Sequence, residues 1–276
     1  MKKNFDDISF QLSRSVTKTY STSFSQSVRF LSPHFRQDIY NIYAFVRFAD
    51  EIVDSFHDYD KQTLLETFKQ DCKKAISSGI SMNPVLNSFQ STVNNSDIPL
   101  TLIDSFFSSM ELDLIKIRYN SSDQLKEYIY GSAEVIGIMC LKIFVKGDEV
   151  MFERLKPAAM KLGSAFQKIN FLRDLGADMS DLNRIYFPEL SNEKFQESAK
   201  ILILKDIDDD LKAGLSGISQ LPSTVRFGVY LSYVYFSALL DKLKRHPISE
   251  IKSTRIRLNN FKKTLILFRS FIFYRL

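Results

Sequence analysis

Tryptophan is absent from the 276-residue chain, and cysteine, histidine, proline and glycine are scarce, at 2, 3, 7 and 9 copies. Each shortage removes a class of protein. Cys72 and Cys140 stand alone with no CxxC spacing and too few histidines for a zinc site, so a reducing compartment is expected. So few glycines and prolines leave tight hairpins without their turn residues and let long elements run uninterrupted, which favours helices. No stretch approaches the ~18 consecutive apolar residues of a membrane-spanning helix. The longest, Leu265 to Tyr274, is broken by Arg269 and Ser270. Met1 to Phe10 carries Lys2 and Lys3 but no apolar segment of the kind a secretory signal needs.

What is abundant is phenylalanine, with 24 copies beside 12 tyrosines. Phenylalanine supplies large apolar area with no polar atom to satisfy, which suits a core or a greasy cavity. The formal charge is +5, and the excess sits at one end. Lys242 to Leu276 holds ten Lys or Arg against a single acid, Glu250. No nucleic-acid-binding module accompanies that charge, so nucleic acid is not an expected partner. Basic residues interleaved with Leu265, Ile266, Leu267, Phe268, Phe271 and Ile272 suit a helix lying on a membrane surface. They equally suit a last core helix with a solvated basic face. The expected location is the cytoplasm, with peripheral contact at the inner face of the membrane if the first alternative holds.

Helical periodicity dominates. Ile39, Ile42, Phe45, Val46, Ala49 and Val53 recur at three- and four-residue steps. Further such stretches run from Lys61 to Ile76, Leu100 to Ile117, Ser122 to Phe144, Glu149 to Asp178, Glu193 to Leu215 and Val225 to Arg245. There is no repeat, no low-complexity linker and no alternating strand pattern. The expected fold is all-α, a single domain over residues 1–276 with around ten helices in an irregular bundle about a central cavity.

Two segments carry chemistry. In the first, Tyr43, Arg47, Asp50 and Asp54 are spaced four, three and four apart. They share one helix face, with the two carboxylates ~6 Å apart. Ile42, Phe45, Ala49 and Val53 make the adjoining face apolar, so the acids border a buried space. A lone DxxxD pair is most often a solvated face. The second segment repeats the pattern, however: Gln167, Asn170, Asp174 and Asp178 form one stripe, with Arg173 beside it. Buried charge is costly unless paired or metal-bound, so two such helices point to one shared site. Oxygen ligands without thiolate or imidazole favour Mg²⁺, with Mn²⁺ possible in its place. Arg47 and Arg173 suit diphosphate oxygens, which guanidinium matches in bidentate fashion.

The pattern RxxDExxD at Arg47 to Asp54, followed by NxLRDxxxD at Asn170 to Asp178, resembles the squalene/phytoene synthase family, most of all its bacterial phytoene synthases. Other pieces resemble that family in order: Tyr20-Ser21-Thr22-Ser23-Phe24, Met110 to Asp113, Tyr128 to Gly137, and Arg184 to Pro188. Three positions depart from it. Ala177 stands where Glu is usual beside the last Asp, Glu134 where Gly is common, and Asn183 where Gly is frequent.

The resemblance implies an isoprenoid-synthase fold and the head-to-head joining of two geranylgeranyl diphosphates to phytoene, a carotenoid precursor, without NADPH. It implies metal ligands at Asp50, Asp54, Asn170, Asp174 and Asp178, and catalytic roles for Tyr128, Arg47 and Arg173. It implies substrate contacts at Ser21, Ser23, Phe24, Tyr43, Ser132, Gln167 and Tyr186. Three rivals remain: squalene or dehydrosqualene synthesis from farnesyl diphosphate, a non-catalytic binding or assembly factor, and a cyclising terpene synthase. Other polar features have plainer expectations. His57 caps a helix end, His34 and His246 are surface residues, and Asp206, Asp208, Asp209 and Asp210 form a solvated face.

Overall fold

Helix starts and stops are written into the chain by short polar side chains. Asp60, Asn83, Ser121, Asp148 and Asn259 each accept a hydrogen bond from a backbone N–H in the first turn of the helix that follows. Pro33 and Pro84 open their helices at a position whose N–H needs no partner. Gly79 ends another in the left-handed conformation, at φ 69°.

The computed structural model describes residues 2–190 and 196–274. Among these described residues there are thirteen α-helices. In chain order they are α1 (Lys2–Tyr20), α2 (Thr22–Val28), α3 (Pro33–Asp54), α4 (Lys61–Ser78), α5 (Pro84–Asn95), α6 (Leu100–Ile115) and α7 (Ser122–Ile129). There follow α8 (Val135–Phe144), α9 (Glu149–Asp181), α10 (Glu197–Ile218), α11 (Ser223–Arg245), α12 (Ile248–Ser253) and α13 (Asn260–Phe273). Among the described residues the only β pairing is a single parallel bridge between Arg118 and Ile185. The fold is all-α, as the sequence leads one to expect, and no described helix is long and apolar enough to cross a membrane.

The expected helix over Ser122 to Phe144 is divided. Between α7 and α8 the chain takes a π-helical turn, Tyr130–Glu134, which rotates Ser132 out of the α-helical register. Local propensity gives no warning of such a turn, because only packing against α6 and α9 stabilises it. The expected start of the later helix at Glu193 lies outside the described residues.

α9 is the organising element. Its 33 residues span about 50 Å, and α8, α10, α11, α12 and the π-turn all pack on it. Contact is close enough to require glycine. A Cβ on Gly163 would stand 2.6 Å from the Ala133 carbonyl oxygen, and one on Gly137 2.6 Å from that of Ala159. One apolar cluster gathers Phe45, Phe68, Phe89, Phe106 and Phe107 among α3 to α6, with the rings of Phe45 and Phe89 stacked at 3.8 Å. A second lies around the middle and C-terminal part of α9. The cavity lies between the helices that carry these clusters.

The acidic run on α10 is not a solvated face throughout. Asp210 is 3% exposed and sits between Lys161 Nζ at 2.8 Å, Lys168 Nζ at 2.7 Å and Ser164 Oγ at 2.7 Å. Asp206 pairs with the same Lys168, and Asp208 with Lys244. Consecutive acids spread around a helix, so one of them had to turn inward, and α9 supplies the cations that make this tolerable. Nor does His57 cap a helix: α3 ends at Asp54, and the His57 ring meets Lys61 Nζ at 3.1 Å in the following turn.

Candidate active site

A cavity of about 780 Å³ runs through the bundle, walled by α2, α3, the π-turn, α8, α9, α10 and α11. Every residue to which the family resemblance gives a metal, catalytic or substrate role lines it: Ser21, Ser23, Phe24, Tyr43, Arg47, Asp50, Asp54, Tyr128, Ser132, Gln167, Asn170, Arg173, Asp174, Asp178 and Tyr186. The two carboxylate pairs therefore face one space from α3 and α9. The opposite stretch is hydrocarbon, built from Ile136, Leu141, Phe144, Leu155, Leu162 and Phe166 among others.

The four carboxylates are not equivalent. Burial alone would raise the Asp174 pKa, but the guanidiniums of Arg173 and Arg255 outweigh it and hold this group below the usual carboxylate range. Arg173 reaches Asp174 at 2.5 Å and Arg255 at 2.6 Å. Asp54 pairs with Arg184 at 3.1 Å. Asp50 and Asp178 have no ion pair within the described residues. Burial, and then the neighbouring carboxylates, push each of them up to about 7. Two half-buried acids lacking a cation, facing a cavity beside Asn170, are what a hard divalent ion would complete. Among the described residues no three acidic, His or Cys side chains converge on one point. An ion here would therefore be held by one or two carboxylates at a time and would need oxygens from a ligand.

Below the acids lies an arrangement the sequence motifs do not spell out. Arg184, 4% exposed, donates from Nη1 to Asp54 Oδ1 at 3.1 Å and to the Tyr186 hydroxyl at 2.8 Å, and from Nη2 to the Asp113 carbonyl oxygen at 2.8 Å. The Asp113 carboxylate is 3.4 Å from the same guanidinium. The Tyr128 hydroxyl donates to Asp113 Oδ2 at 2.7 Å. Burial comes first in pushing Asp113 up to about 7, with Arg184 opposing it. Burial likewise raises the Tyr128 hydroxyl far above its ordinary value, so it stays neutral. Tyr119, Tyr128, Phe171 and Tyr186 stack into one aromatic floor, with Phe171 and Tyr186 at 3.7 Å.

Several residues escaped the motif-based selection. Asp113 and Arg184 lie in family-like segments, and their place in those segments is the signal that could have found them. Arg255 sits in the basic tail, where nothing distinguishes it from its neighbours. The three departures also find their places. Asn183 has φ 51°, a left-handed conformation that asparagine tolerates better than most residues and glycine best. Glu134 is half-buried, its pKa raised by burial and then lowered in part by Lys161. Ala177 is exposed and does not line the cavity. On the other wall, Tyr43 stacks on Phe24 at 5.1 Å, while Arg47 pairs with Glu51 and lies over Tyr20 at 4.3 Å.

An all-helical chamber with acids at one end and hydrocarbon at the other is the design of the isoprenoid synthases. The chain belongs to the squalene/phytoene synthase family, whose model matches residues 17–262. It is 26% identical to a phytoene synthase of Arthrospira platensis over 94% of this chain and 91% of that one. It is also 26% identical to the chloroplastic phytoene synthase 1 of Solanum lycopersicum, over 91% of this chain and 65% of the tomato protein. Among solved structures, a dehydrosqualene synthase superposes with TM-score 0.82 at 18% identity, covering 98% of both chains. A squalene synthase from Alicyclobacillus acidocaldarius superposes with TM-score 0.74 at 22% identity, over 86% of this chain and 93% of that one.

Proposed function

We propose that the protein condenses two geranylgeranyl diphosphates head to head into phytoene, releasing two diphosphates and two protons. The observation that carries this is the pair Asp50 and Asp178, carboxylates without a direct ion pair on two helices that line the polar end of a hydrocarbon cavity. Mg²⁺ ions, each held by one or two of the side chains of Asp50, Asp54, Asn170, Asp174 and Asp178, would neutralise charge on the departing diphosphate. Mn²⁺ has the same ligand preference.

Arg47 and Arg173 stand at the same end to grip diphosphate oxygens. Once the first C1–O bond breaks, the double bond of the second substrate attacks the allylic carbon, and loss of a proton closes a cyclopropylcarbinyl diphosphate. Breakage of its C–O bond, rearrangement and loss of a second proton give the linear polyene, with a conjugated triene at its centre. The aromatic faces of Phe24, Tyr43 and Tyr128 line the chamber where positive charge develops, each desolvated contact being worth ~2 kcal/mol. A neutral Tyr128 hydroxyl does not trap a carbocation as a phenolate would. It also offers a route for a proton to Asp113. Ser132 Oγ, buried without a partner, faces the same space, and Ser21, Ser23, Gln167 and Tyr186 complete the polar contacts.

The phytoene synthase relatives favour the C20 substrate. The likeness to a dehydrosqualene synthase over the whole chain supports farnesyl diphosphate as the second reading. Purified protein incubated with Mg²⁺ and C15 or C20 diphosphate, with and without NADPH, separates them by mass spectrometry of the extract. Phytoene from the C20 substrate without NADPH is expected. A C30 product alone selects the second reading, and no hydrocarbon from either substrate rejects both.

A further inference from the structure

The last helix turns an apolar stripe to solvent. At 100° per residue, Phe261, Leu265, Phe268 and Ile272 fall on one stripe of α13. They are 79%, 45%, 65% and 55% exposed, whereas Ser270 on the opposite side is 5% exposed. The inward side is mixed: half-buried Ile266 and Leu267 share it with Lys263, whose Nζ donates to Thr22 Oγ1 at 2.7 Å and whose backbone carbonyl accepts from the Tyr235 hydroxyl. A surface helix ordinarily turns its apolar stripe to the core. Single exposed apolar residues need no explanation, but a contiguous stripe does.

Charge decides what covers it. Lys262 and Arg269 flank the stripe on one side, within a segment that carries ten basic residues and one acid. That acid, Glu250, is taken up by His246. A second copy of the chain would bring the same basic face against its own, whereas an anionic surface complements it. Location agrees. Lys263 lines the cavity beside Thr22, Ser23 and Phe24, so the stripe stands next to the α2 wall of a chamber made for hydrocarbon chains.

We propose that α13 docks the protein on an anionic lipid bilayer. Phe261, Leu265, Phe268 and Ile272 enter the headgroup–acyl boundary while Lys262 and Arg269 meet lipid phosphates. This goes beyond the catalytic proposal and stands without it, because its readout is binding and not turnover.

The full chain is sedimented with vesicles of phosphatidylcholine alone, and with vesicles of phosphatidylcholine and phosphatidylglycerol in roughly equal parts. Binding to the anionic vesicles is expected to be at least about tenfold the stronger and to weaken with salt. Phe261→Ser/Phe268→Ser should lower it about tenfold or more, and Arg269→Glu should lower it on anionic vesicles only. Circular dichroism and synthesis from detergent-dispersed substrate should be unchanged in each variant. Absence of binding by the folded parent, or equal binding by the double variant, overturns the proposal. So does a dimer in light scattering that the double variant converts to monomer, which would make a second copy the occupant.

Discussion

The hydroxyl of Tyr128 donates a 2.7 Å hydrogen bond to Oδ2 of Asp113, and both residues are buried. Asp113 is in turn held against Arg184, which also holds Asp54 of the first carboxylate pair. The aromatic floor of the chamber and its acidic end are therefore one connected network.

Breaking that bond from either side should cost turnover and not binding. Tyr128→Phe and Asp113→Asn are each expected to lower kcat by ~10²–10⁴-fold, the range for a positioned proton-transfer group. KM should stay within a fewfold, because neither side chain belongs to the diphosphate-gripping end. Steady-state hydrocarbon synthesis measures both quantities, and a rise in KM at constant kcat would make the pair a binding element.

Asp50→Asn and Asp174→Asn should each reduce turnover by orders of magnitude with the helical circular dichroism intact. Near-parental turnover in either would remove that residue from the ion site. Asp50 makes a further prediction. Its pKa is raised from an ordinary 3.8 to about 7, so the folded chain keeps a proton that the unfolded chain releases between those values. The group's contribution to stability therefore falls as pH rises through that window. In a chelator, Asp50→Asn should gain on the parent in thermal midpoint as pH is raised from 5 to 8. Mg²⁺ with inorganic pyrophosphate should return the advantage to the parent at pH 8, and a gap insensitive to pH would show that Asp50 ionises without cost.

Removing Arg184 should be the most damaging change to the fold near the site. Arg184→Gln leaves the buried Asp113 carboxylate without its cation, at about 3–5 kcal/mol for a broken buried pair. Asp113 is already raised to about 7 and rises further without Arg184, so it can protonate instead. The loss, read from urea unfolding midpoints, should be large at pH 8 and shrink toward pH 5.

Gly163→Ala forces a methyl group to within 2.6 Å of the Ala133 carbonyl oxygen and so drives the π-turn away from α9. A loss of about 1–3 kcal/mol is expected in unfolding experiments. Because the same turn carries Ser132, the ratio of C30 to C40 product should also shift when both substrates are supplied.

Helix periodicity and paired carboxylates were legible because they are local. Each DxxxD pair needs only one helix to put its acids on one face, and the apolar residues between them mark that face as bordering a buried space. The π-turn at Tyr130–Glu134 was not legible, since no residue in it refuses an α-helix and only its packing selects the wider turn. The acids of α10 were misread for the same reason. Consecutive spacing shows that they surround the helix but cannot show that Lys161 and Lys168 wait on α9 to receive Asp210.

The linear order of residues by itself determined an all-helical chain, which acids stand together, and the family to which they belong. These follow from the 3.6-residue period and from side-chain chemistry within one turn. The tertiary structure alone decided which acids keep a cation and which lack one. Arg255 reaches Asp174 across 81 residues and Arg184 reaches Asp54 across 130, while Asp50 and Asp178 make no direct ion pair and feel a neighbouring carboxylate more strongly than any guanidinium. Electrostatic energy depends on distance through space and on burial, and neither quantity is written along the chain.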